Sequence, residues 1–271
     1  MSNRRLDITP VSSPLRAAFA ISRGSKTSAE TVRVRVQQGE RTGWGECVPY
    51  GRYGETIESV TATIETLREA LEAGLTRADL QAQMPAGAAR CAVDCALWDL
   101  EAKMTGTPVW QLAGLPEPKP VETAVTVSLD TPEKMAEAAR AIQGQLLKLK
   151  LGGAEDLKRI EAVHVARPDA RLIVDANEGL VPAEFPNISR AAAALGVVLI
   201  EQPFPAGDDA ALERRPGPVA ICADESAHTA ADMQDLARRY DAVNVKLDKA
   251  GGLTEALAMV RAAKACGMGV M

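Results

Sequence analysis

The hydrophobic positions follow one pattern in the first 115 residues and a different pattern in the rest of the chain. Residues 31–37 (TVRVRVQ) alternate apolar and polar side chains as a half-buried strand does, and residues 43–48 (GWGECV) form a second run that can pair with it. Apolar residues at helical spacing follow at 56–73 and 86–104. These elements predict a small α+β domain at residues 1–115.

Residues 115–120 (LPEPKP) contain three prolines, which is typical of a domain boundary. From there to residue 271, short apolar strands alternate with helical patterns, which predicts parallel strands covered by helices. Their regular recurrence favours a TIM-type (β/α) barrel over an open doubly wound sheet, although the pattern is compatible with both. The predicted strands are 123–129, 147–151, 171–175, 197–201, 219–224, 242–247 and 268–271. With six strands and the start of a seventh, we expect a partial barrel, incomplete at the C-terminus.

Composition and charge narrow the possible function. The net charge of −5 argues against general binding to nucleic acid or to an anionic membrane. The sequence has no apolar run of membrane-spanning length and no signal-peptide core at its start, so we expect a cytoplasmic protein that acts on a small molecule. Five cysteines without a CxxC motif suggest neither a disulfide framework nor a zinc site.

Three successive predicted strands end in a carboxylate. These residues are Asp175 in IVDAN, Glu201 in LIEQP and Asp224 in CADES. The C-terminal ends of parallel strands lie on one face of the fold, so the three acids should converge there. Any one of them alone could be a helix N-cap. Three hard oxygen ligands at equivalent places predict a Mg²⁺ site.

The strand LLKLK places two lysines on one face, because side chains two residues apart on a strand point the same way. Lys148 and Lys150 would face the barrel interior near the acids, while the neighbouring leucines pack outward. In isolation, a KxK pair usually marks an edge strand that is protected by charge. The acids on neighbouring strands favour the interior position.

A third lysine, Lys246 in NVKLDKAGG, is predicted to face Lys148 and Lys150 across the acids. A lysine acts as a base only if its pKa falls toward neutrality, which partial burial and a nearby cation both promote. Two bases on opposite sides of one carbon can remove a proton from one face and return it to the other. The arrangement predicts racemisation or epimerisation next to a carboxylate, with Mg²⁺ stabilising the enolate.

With these residues identified, the sequence resembles the enolase superfamily, in its muconate-lactonising subgroup, and is most similar to the L-Ala-D/L-Glu (dipeptide) epimerases. The resemblance extends over nearly the whole chain and includes the helix at 89–114. The matching motifs are KLK at 148–150, VDAN at 174–177, EQP at 201–203, ADES at 223–226 and NVKLDKAGGLTEAL at 244–257.

The resemblance implies a function for each part of the chain. Residues 1–115 would form a capping domain and residues 116–271 the catalytic domain. The acids would bind Mg²⁺, Lys150 and Lys246 would be the acid/base pair, and Lys148 would assist Lys150 and contact the substrate carboxylate. Thr126 would contact the substrate, Arg23 would bind the glutamate side-chain carboxylate, and the loop at 49–55 would act as a lid carrying Tyr50 or Tyr53. The residues implied in the site are Lys148, Lys150, Lys246, Asp175, Glu201, Asp224, Thr126 and Arg23.

The resemblance also leaves alternatives. Family members continue with an eighth strand whose DxD pair holds the dipeptide ammonium group, whereas this sequence ends at Met271. We therefore expect either an epimerase of murein-derived dipeptides, with a homo-oligomer as one possible state, or a catalytically silent truncated fragment. An o-succinylbenzoate synthase or cycloisomerase would use a similar set of lysines and metal ligands for elimination.

Overall fold

The computed structural model describes residues 4–21 and 24–271 of the chain. Its N-terminal part consists of an antiparallel sheet in the order β1-β2-β3 with helices packed on one face. The strands are β1 (Arg4–Ile21), β2 (Gly24–Gln38) and β3 (Arg41–Cys47). The helices are α1 (Ile57–Glu65), α2 (Arg68–Ala73), α3 (Arg77–Gln83), α4 (Ala88–Thr105) and α5 (Val109–Leu112).

Two of the helix predictions have different outcomes. The helix predicted at 86–104 is confirmed as α4, but the helix predicted at 56–73 is divided into α1 and α2. At the division, the Leu67 N–H bonds the carbonyl of Ile64, three residues back, and the Thr66 hydroxyl donates to the Thr63 carbonyl at 2.7 Å. The turn tightens there, and a new helix starts at Arg68.

Helix α4 packs directly on β3 because glycines line the contact. A Cβ atom at Gly45 would lie 1.9 Å from the carbonyl oxygen of Ala92, and one at Gly43 would lie 2.1 Å from that of Ala96. Any side chain at these positions would push the helix off the sheet. The close approach completes a core that includes Val34 from the sheet and is separate from the core of the C-terminal part.

The C-terminal part is a seven-stranded, all-parallel sheet in the order β10-β9-β8-β7-β6-β5-β4. Its strands are β4 (Val125–Val127), β5 (Leu146–Lys150), β6 (Arg171–Asp175), β7 (Val197–Glu201), β8 (Ala220–Ala223), β9 (Ala242–Val243) and β10 (Gly269–Val270). The main helices between them are α6 (Pro132–Ala141), α7 (Asp156–Ala166), α8 (Phe185–Ala194), α9 (Met233–Leu236), α10 (Leu247–Ala250) and α11 (Leu253–Ala265).

The strand order supports the barrel interpretation. Each strand lies beside the previous one in sequence, whereas the order of a doubly wound sheet reverses at a switch point. Within the part of the chain that is described, β4 and β10 are the two edges of the sheet. The arrangement is that of a TIM-type barrel with seven of its strands.

Two of the predicted strands are much shorter than expected. The strand predicted at 123–129 is limited to Val125–Val127, and the strand predicted at 242–247 is limited to Ala242–Val243. After Val243, Asn244 N–H bonds the Ala223 carbonyl and Val245 N–H bonds that of Met271. Lys246 then directly precedes α10, so it lies outside the strand.

The two parts of the molecule meet where α4 packs against α10 and α11. The buried Arg90 guanidinium donates to the carbonyls of Gly251 (3.1 Å) and Ala250 (2.8 Å). Asp94 accepts from both the backbone N–H (2.9 Å) and the hydroxyl (2.6 Å) of Thr254. These bonds hold the N-terminal sheet and its helices over the end of the parallel sheet. Among the described residues, no helix has the length and apolar character needed to cross a membrane.

Candidate active site

The three predicted acids lie side by side at the C-terminal ends of β6, β7 and β8. Asp175 and Glu201 are the last residues of their strands and are register partners, and Asp224 follows β8 directly. All three are at most 1% exposed. Each offers a carboxylate oxygen within 4.8 Å of the others. The convergence predicted from the sequence is therefore present.

Burial and neighbouring charges act differently on the three carboxyls. Burial, reinforced by the nearby Asp175 carboxylate, raises the pKa of Glu201 to about 7. Burial alone would also raise the pKa of Asp224, but the ammonium groups of Lys249 and Lys246 hold it below the ordinary value. The pKa of Asp175 is likewise lowered, because Lys148 and Lys150 outweigh its burial.

Both lysines of β5 point into this acidic cluster, as predicted. Lys148 Nζ lies 3.0 Å from Asp175 Oδ2 and contacts Glu201 Oε2. Lys150 Nζ donates to Asp175 Oδ2 at 2.5 Å and to Asn177 Oδ1 at 3.2 Å. The outward leucines of the strand are buried in the core beneath the helices, so the edge-strand alternative is wrong.

Lys246 reaches the cluster from the other side of the row of acids. It lies three residues beyond the end of β9, at the N-terminus of α10, and contacts Asp224 Oδ2. Its side chain is 47% exposed, compared with 10% for Lys150. The sequence correctly predicted its position opposite Lys150 but wrongly placed it within a strand.

The pKa values of Lys148 and Lys246 are both raised above the ordinary value. Burial lowers the pKa of Lys148, but Glu201 and Asp175 outweigh that effect. At Lys246, where a lowered pKa was expected of a base, the adjacent Asp224 likewise outweighs burial. The neighbouring carboxylates therefore hold both of these side chains in the protonated form.

A fourth lysine was missed in the sequence reasoning. Lys249 is 5% exposed, donates to Asp224 Oδ1 at 2.6 Å and contacts the Asp224 carbonyl. Burial lowers its pKa. Its spacing of three residues from Lys246, one helical turn into α10, was the available signal.

A cavity of about 340 Å³ lies between the acidic cluster and the N-terminal part of the chain. Three lysines line it, Lys150, Lys246 and Lys249. Tyr50 and Tyr53 line it from the opposite side, with ring centroids 5.4 Å apart. Charged side chains therefore line one side of the cavity, and two aromatic rings line the opposite side.

The loop that carries these tyrosines is attached to the parallel sheet. Arg52 Nη2 lies 2.6 Å from Glu178 Oε1, and the Tyr53 ring meets the His228 ring edge-on at 5.0 Å between centroids. These contacts hold residues 49–55 over the cavity, in the place expected of a lid.

The two predicted substrate contacts outside this cluster have separate outcomes. Thr126 is the register partner of Lys148 on β4, but it is exposed and is not one of the residues that line the cavity. Arg23 lies outside the described residues. No contact among the described residues brings the Thr126 side chain to the site.

The donor set fits a hard divalent cation. Three buried carboxylates converge, each with an oxygen within 4.8 Å of the others, and the Lys148 ammonium lies against two of them. Carboxylate oxygens are the ligands that Mg²⁺ prefers, and open coordination positions can be filled by water or by substrate oxygens. The acid triad fits a Mg²⁺ site.

Comparisons with known proteins agree with this geometry. The chain is 47% identical to the L-Ala-D/L-Glu epimerase of Escherichia coli (strain K12) over 95% of this chain and 81% of that protein. It is 41% identical to an N-acetyl-D-glutamate racemase of a Pseudoalteromonas species, over 84% of this chain and 73% of that one. A solved enolase family member from Agrobacterium tumefaciens, with homology to dipeptide epimerases and with bound sodium and L-Ala-L-Glu, superposes with a TM-score of 0.95. It is 50% identical, and the match covers 99% of this chain and 82% of that one.

The family assignment covers both parts of the chain. Residues 4–114 match the N-terminal domain of the mandelate racemase / muconate lactonizing enzyme family. Residues 131–271 match the enolase C-terminal domain-like family. The chain therefore belongs to the enolase superfamily, in its mandelate racemase / muconate lactonizing enzyme group.

Proposed function

We propose that this protein is an isomerase that epimerises a dipeptide, L-Ala-D/L-Glu, at the glutamate α-carbon with Mg²⁺ as its cofactor. The observation that carries the proposal is the placement of two lysines. Lys150 and Lys246 line one cavity from opposite ends of a row of three acidic strand ends. Reactions that invert a carbon need a proton donor and a proton acceptor on opposite faces.

Asp175, Glu201 and Asp224 would hold the cation. Mg²⁺ bound there would place positive charge beside the substrate and would stabilise the enolate formed when the substrate loses its α-proton. Lys148, whose pKa is raised by two of the carboxylates, suits a permanently charged partner for the substrate carboxylate.

Lys150 and Lys246 would move the proton. One of them, in the neutral form, takes the α-proton from one face, and the C–H electron pair passes into the substrate carboxylate as an enolate. The other, as an ammonium, returns a proton to the opposite face and restores the C–H bond. Lys150 would act on one epimer and Lys246 on the other.

Substrate choice rests on the relatives. The epimerase of Escherichia coli and the structure with L-Ala-L-Glu both indicate a glutamate with an acylated amine. The N-acetyl-D-glutamate racemase favours a second candidate, an N-acyl glutamate without a free ammonium group. Thr126 and Arg23 remain candidate substrate contacts, and the domain boundary at residue 115, the cytoplasmic location and the homo-oligomer remain predictions.

The other sequence alternatives are weaker. An elimination catalysed by an o-succinylbenzoate synthase or cycloisomerase would create a double bond that absorbs in the ultraviolet, whereas epimerisation would not. A silent fragment would bind no divalent cation at the acid triad. Relatives named for epimerisation and racemisation at 41% and 47% identity favour proton transfer over elimination.

Proton NMR in D₂O tests the proposal. The purified chain is incubated with Mg²⁺ and L-Ala-D-Glu, L-Ala-L-Glu or N-acetyl-D-glutamate, and the glutamate α-proton signal is followed. We expect the signal of both dipeptides to disappear while their epimers form, because the α-proton is replaced by solvent deuterium.

Two controls test whether the exchange depends on the metal and on the lysines of the site. Chelation of the metal with EDTA should stop exchange, and Lys158→Ala, which changes a lysine that is 71% exposed on α7, should leave the rate unchanged. If only N-acetyl-D-glutamate exchanges its α-proton, the substrate is an N-acyl glutamate and not the dipeptide. Retention of all three α-proton signals would contradict it.

A further inference from the structure

Gln202 is a buried polar residue next to the acid triad whose function the reaction does not explain. It follows Glu201 directly, is fully buried, and has a backbone φ of +36°. Few residues other than glycine adopt this left-handed conformation without compensation from their surroundings. Its backbone N–H bonds the Cys222 carbonyl at 2.9 Å, which extends the ladder between β7 and β8 by one residue.

The side-chain oxygen of Gln202 bonds the backbone on both sides of Glu225. Gln202 Oε1 accepts from Asp224 N–H at 2.8 Å and from Ser226 N–H at 3.2 Å. The segment that carries the third acid is therefore bonded to the residue adjoining the second acid. These two donors lie beyond the end of β8, where the strand ladder no longer supplies acceptors.

The amide nitrogen of Gln202 is held by a second set of bonds. The two N–H groups of Nε2 lie within hydrogen-bond distance of three acceptors, Ser226 Oγ (2.8 Å), Tyr240 OH (3.0 Å) and the Phe204 carbonyl (2.9 Å), so one N–H is shared. Both hydroxyls in turn donate to Asp209 Oδ2, Tyr240 at 2.6 Å and Ser226 at 2.9 Å.

The direction of these bonds is set at the far end of the network. Asp209 is 2% exposed and forms an ion pair with Arg239 at 3.4 Å, so its carboxylate accepts hydrogen bonds and donates none. The hydroxyl protons therefore point toward Asp209, and the hydroxyl oxygens are left to accept from Gln202. The side-chain amide is held in one orientation, with its oxygen toward Asp224.

We propose that Gln202 is a positioning residue that sets the Asp224 carboxylate relative to Glu201 and so determines cation affinity. This inference rests on the proposed metal site at the acid triad. An apolar side chain of the same length would leave two N–H groups without an acceptor, the buried one of Asp224 and the half-buried one of Ser226. The segment would then shift toward other acceptors, and the third carboxylate would move with it.

The test compares Mn²⁺ binding by the parent chain and by Gln202→Met, followed through the electron paramagnetic resonance signal of free Mn²⁺. Methionine matches glutamine in length, and neither residue is branched at Cβ. We expect the Kd of the variant to rise at least tenfold. Ile160→Ala, in the fully buried core under α7, is the control for a general loss of stability, and its Kd should stay within twofold of the parent value.

Three binding outcomes would overturn the inference. If the parent binds Mn²⁺ and Gln202→Met binds it within twofold, Gln202 does not position the site. If Ile160→Ala loses as much Mn²⁺ affinity as Gln202→Met, the rise in Kd results from lower stability and not from the position of Gln202. Failure of the parent chain itself to bind Mn²⁺ would overturn the proposed metal site together with this inference.

If Gln202→Met does not fold, hydrogen exchange of the parent chain tests whether Gln202 holds the segment of Asp224 and Ser226. In the metal-free protein, the amide protons of Asp224 and Ser226 should exchange with solvent at least a hundredfold more slowly than in the unfolded chain. Exchange of both amides at the unfolded rate would show that Gln202 does not hold this segment.

Discussion

The two proposed bases reach the same row of carboxylates from surroundings that differ in rigidity. Lys150 ends a strand with neighbours on both sides, is 10% exposed in its side chain and bonds Asp175 and Asn177. Lys246 follows a two-residue strand beside the edge strand β10, is 47% exposed and contacts Asp224. One base is therefore positioned by the sheet, and the other by a short extended segment and the start of a helix.

The difference predicts unequal structural costs for equivalent substitutions. Loss of one partner from a buried ion pair costs roughly 3–5 kcal/mol, whereas an exposed pair contributes about 0–1 kcal/mol.

The largest expected effect is on stability. Lys150→Met should lower the free energy of unfolding by about 3 kcal/mol, because Asp175 loses a buried partner. Lys246→Met should lower it by less than about 1 kcal/mol, since Lys246 is half exposed and Asp224 keeps the buried Lys249 ammonium as a partner. Urea denaturation of the metal-free variants measures both, with the exposed Lys158→Met as the control. Equal losses of unfolding free energy at the two positions would show that the two lysines do not differ in their structural contribution.

A smaller effect is expected at Glu201, which lies between the two sides. Its pKa is raised from an ordinary 4.5 to about 7, so between these pH values the folded chain holds a proton that the unfolded chain has lost. The stability contribution of this group therefore falls as pH rises from about 4.5 to 7. Glu201→Gln removes the ionisation and should raise the metal-free free energy of unfolding by about 2 kcal/mol at pH 8, but hardly at pH 5.

Thermal or urea unfolding at the two pH values checks this prediction. The same variant should lose divalent cation binding, because an amide replaces one carboxylate ligand. A Glu201→Gln protein that is less stable than the parent at pH 8 would show that Lys148 and Asn244 already compensate the buried charge fully.

The smallest effect concerns Asn177, which accepts from Lys150 and has no counterpart in the described contacts of Lys246. Asn177→Gly preserves the left-handed backbone, whose φ is 44°, while removing the hydrogen bond. We expect α-proton exchange of the epimer served by Lys150 to slow about tenfold, since a hydrogen bond to a charged group contributes about 1.5–3 kcal/mol. Exchange of the other epimer, which is the internal control, should change less than twofold. Equal slowing of both would contradict the asymmetry.

Much of the barrel and of its acidic cluster could be predicted from the sequence because strand periodicity carries that information. The alternation in LLKLK determines which side chains face inward, and the position of an acid at the end of a parallel strand determines the face on which it lies. Asp175, Glu201 and Asp224 were identified in this way. The sheet order then follows from the repeated βα units.

The features that were missed depend on contacts beyond the strands. Lys249 belongs to the site because a short helix after β9 turns it back to Asp224, and periodicity does not describe such a turn. Lys246 was placed in a strand because NVKL has strand composition, whereas β9 ends at Val243 and α10 begins directly after Lys246. The orientation of Gln202 depends on Tyr240, which is 38 residues away in sequence and donates in turn to Asp209.

The central claim is that Lys150 and Lys246 act on opposite faces of one carbon. The most direct test follows α-proton exchange of each purified dipeptide epimer in D₂O with Mg²⁺ and with Lys150→Ala or Lys246→Ala. If the two lysines act on opposite faces, each variant loses epimerisation in both directions. Each variant still exchanges the α-proton of one epimer, and that epimer differs between the two variants. Epimerisation that survives in either variant, or retention of the same epimer by both, would contradict it.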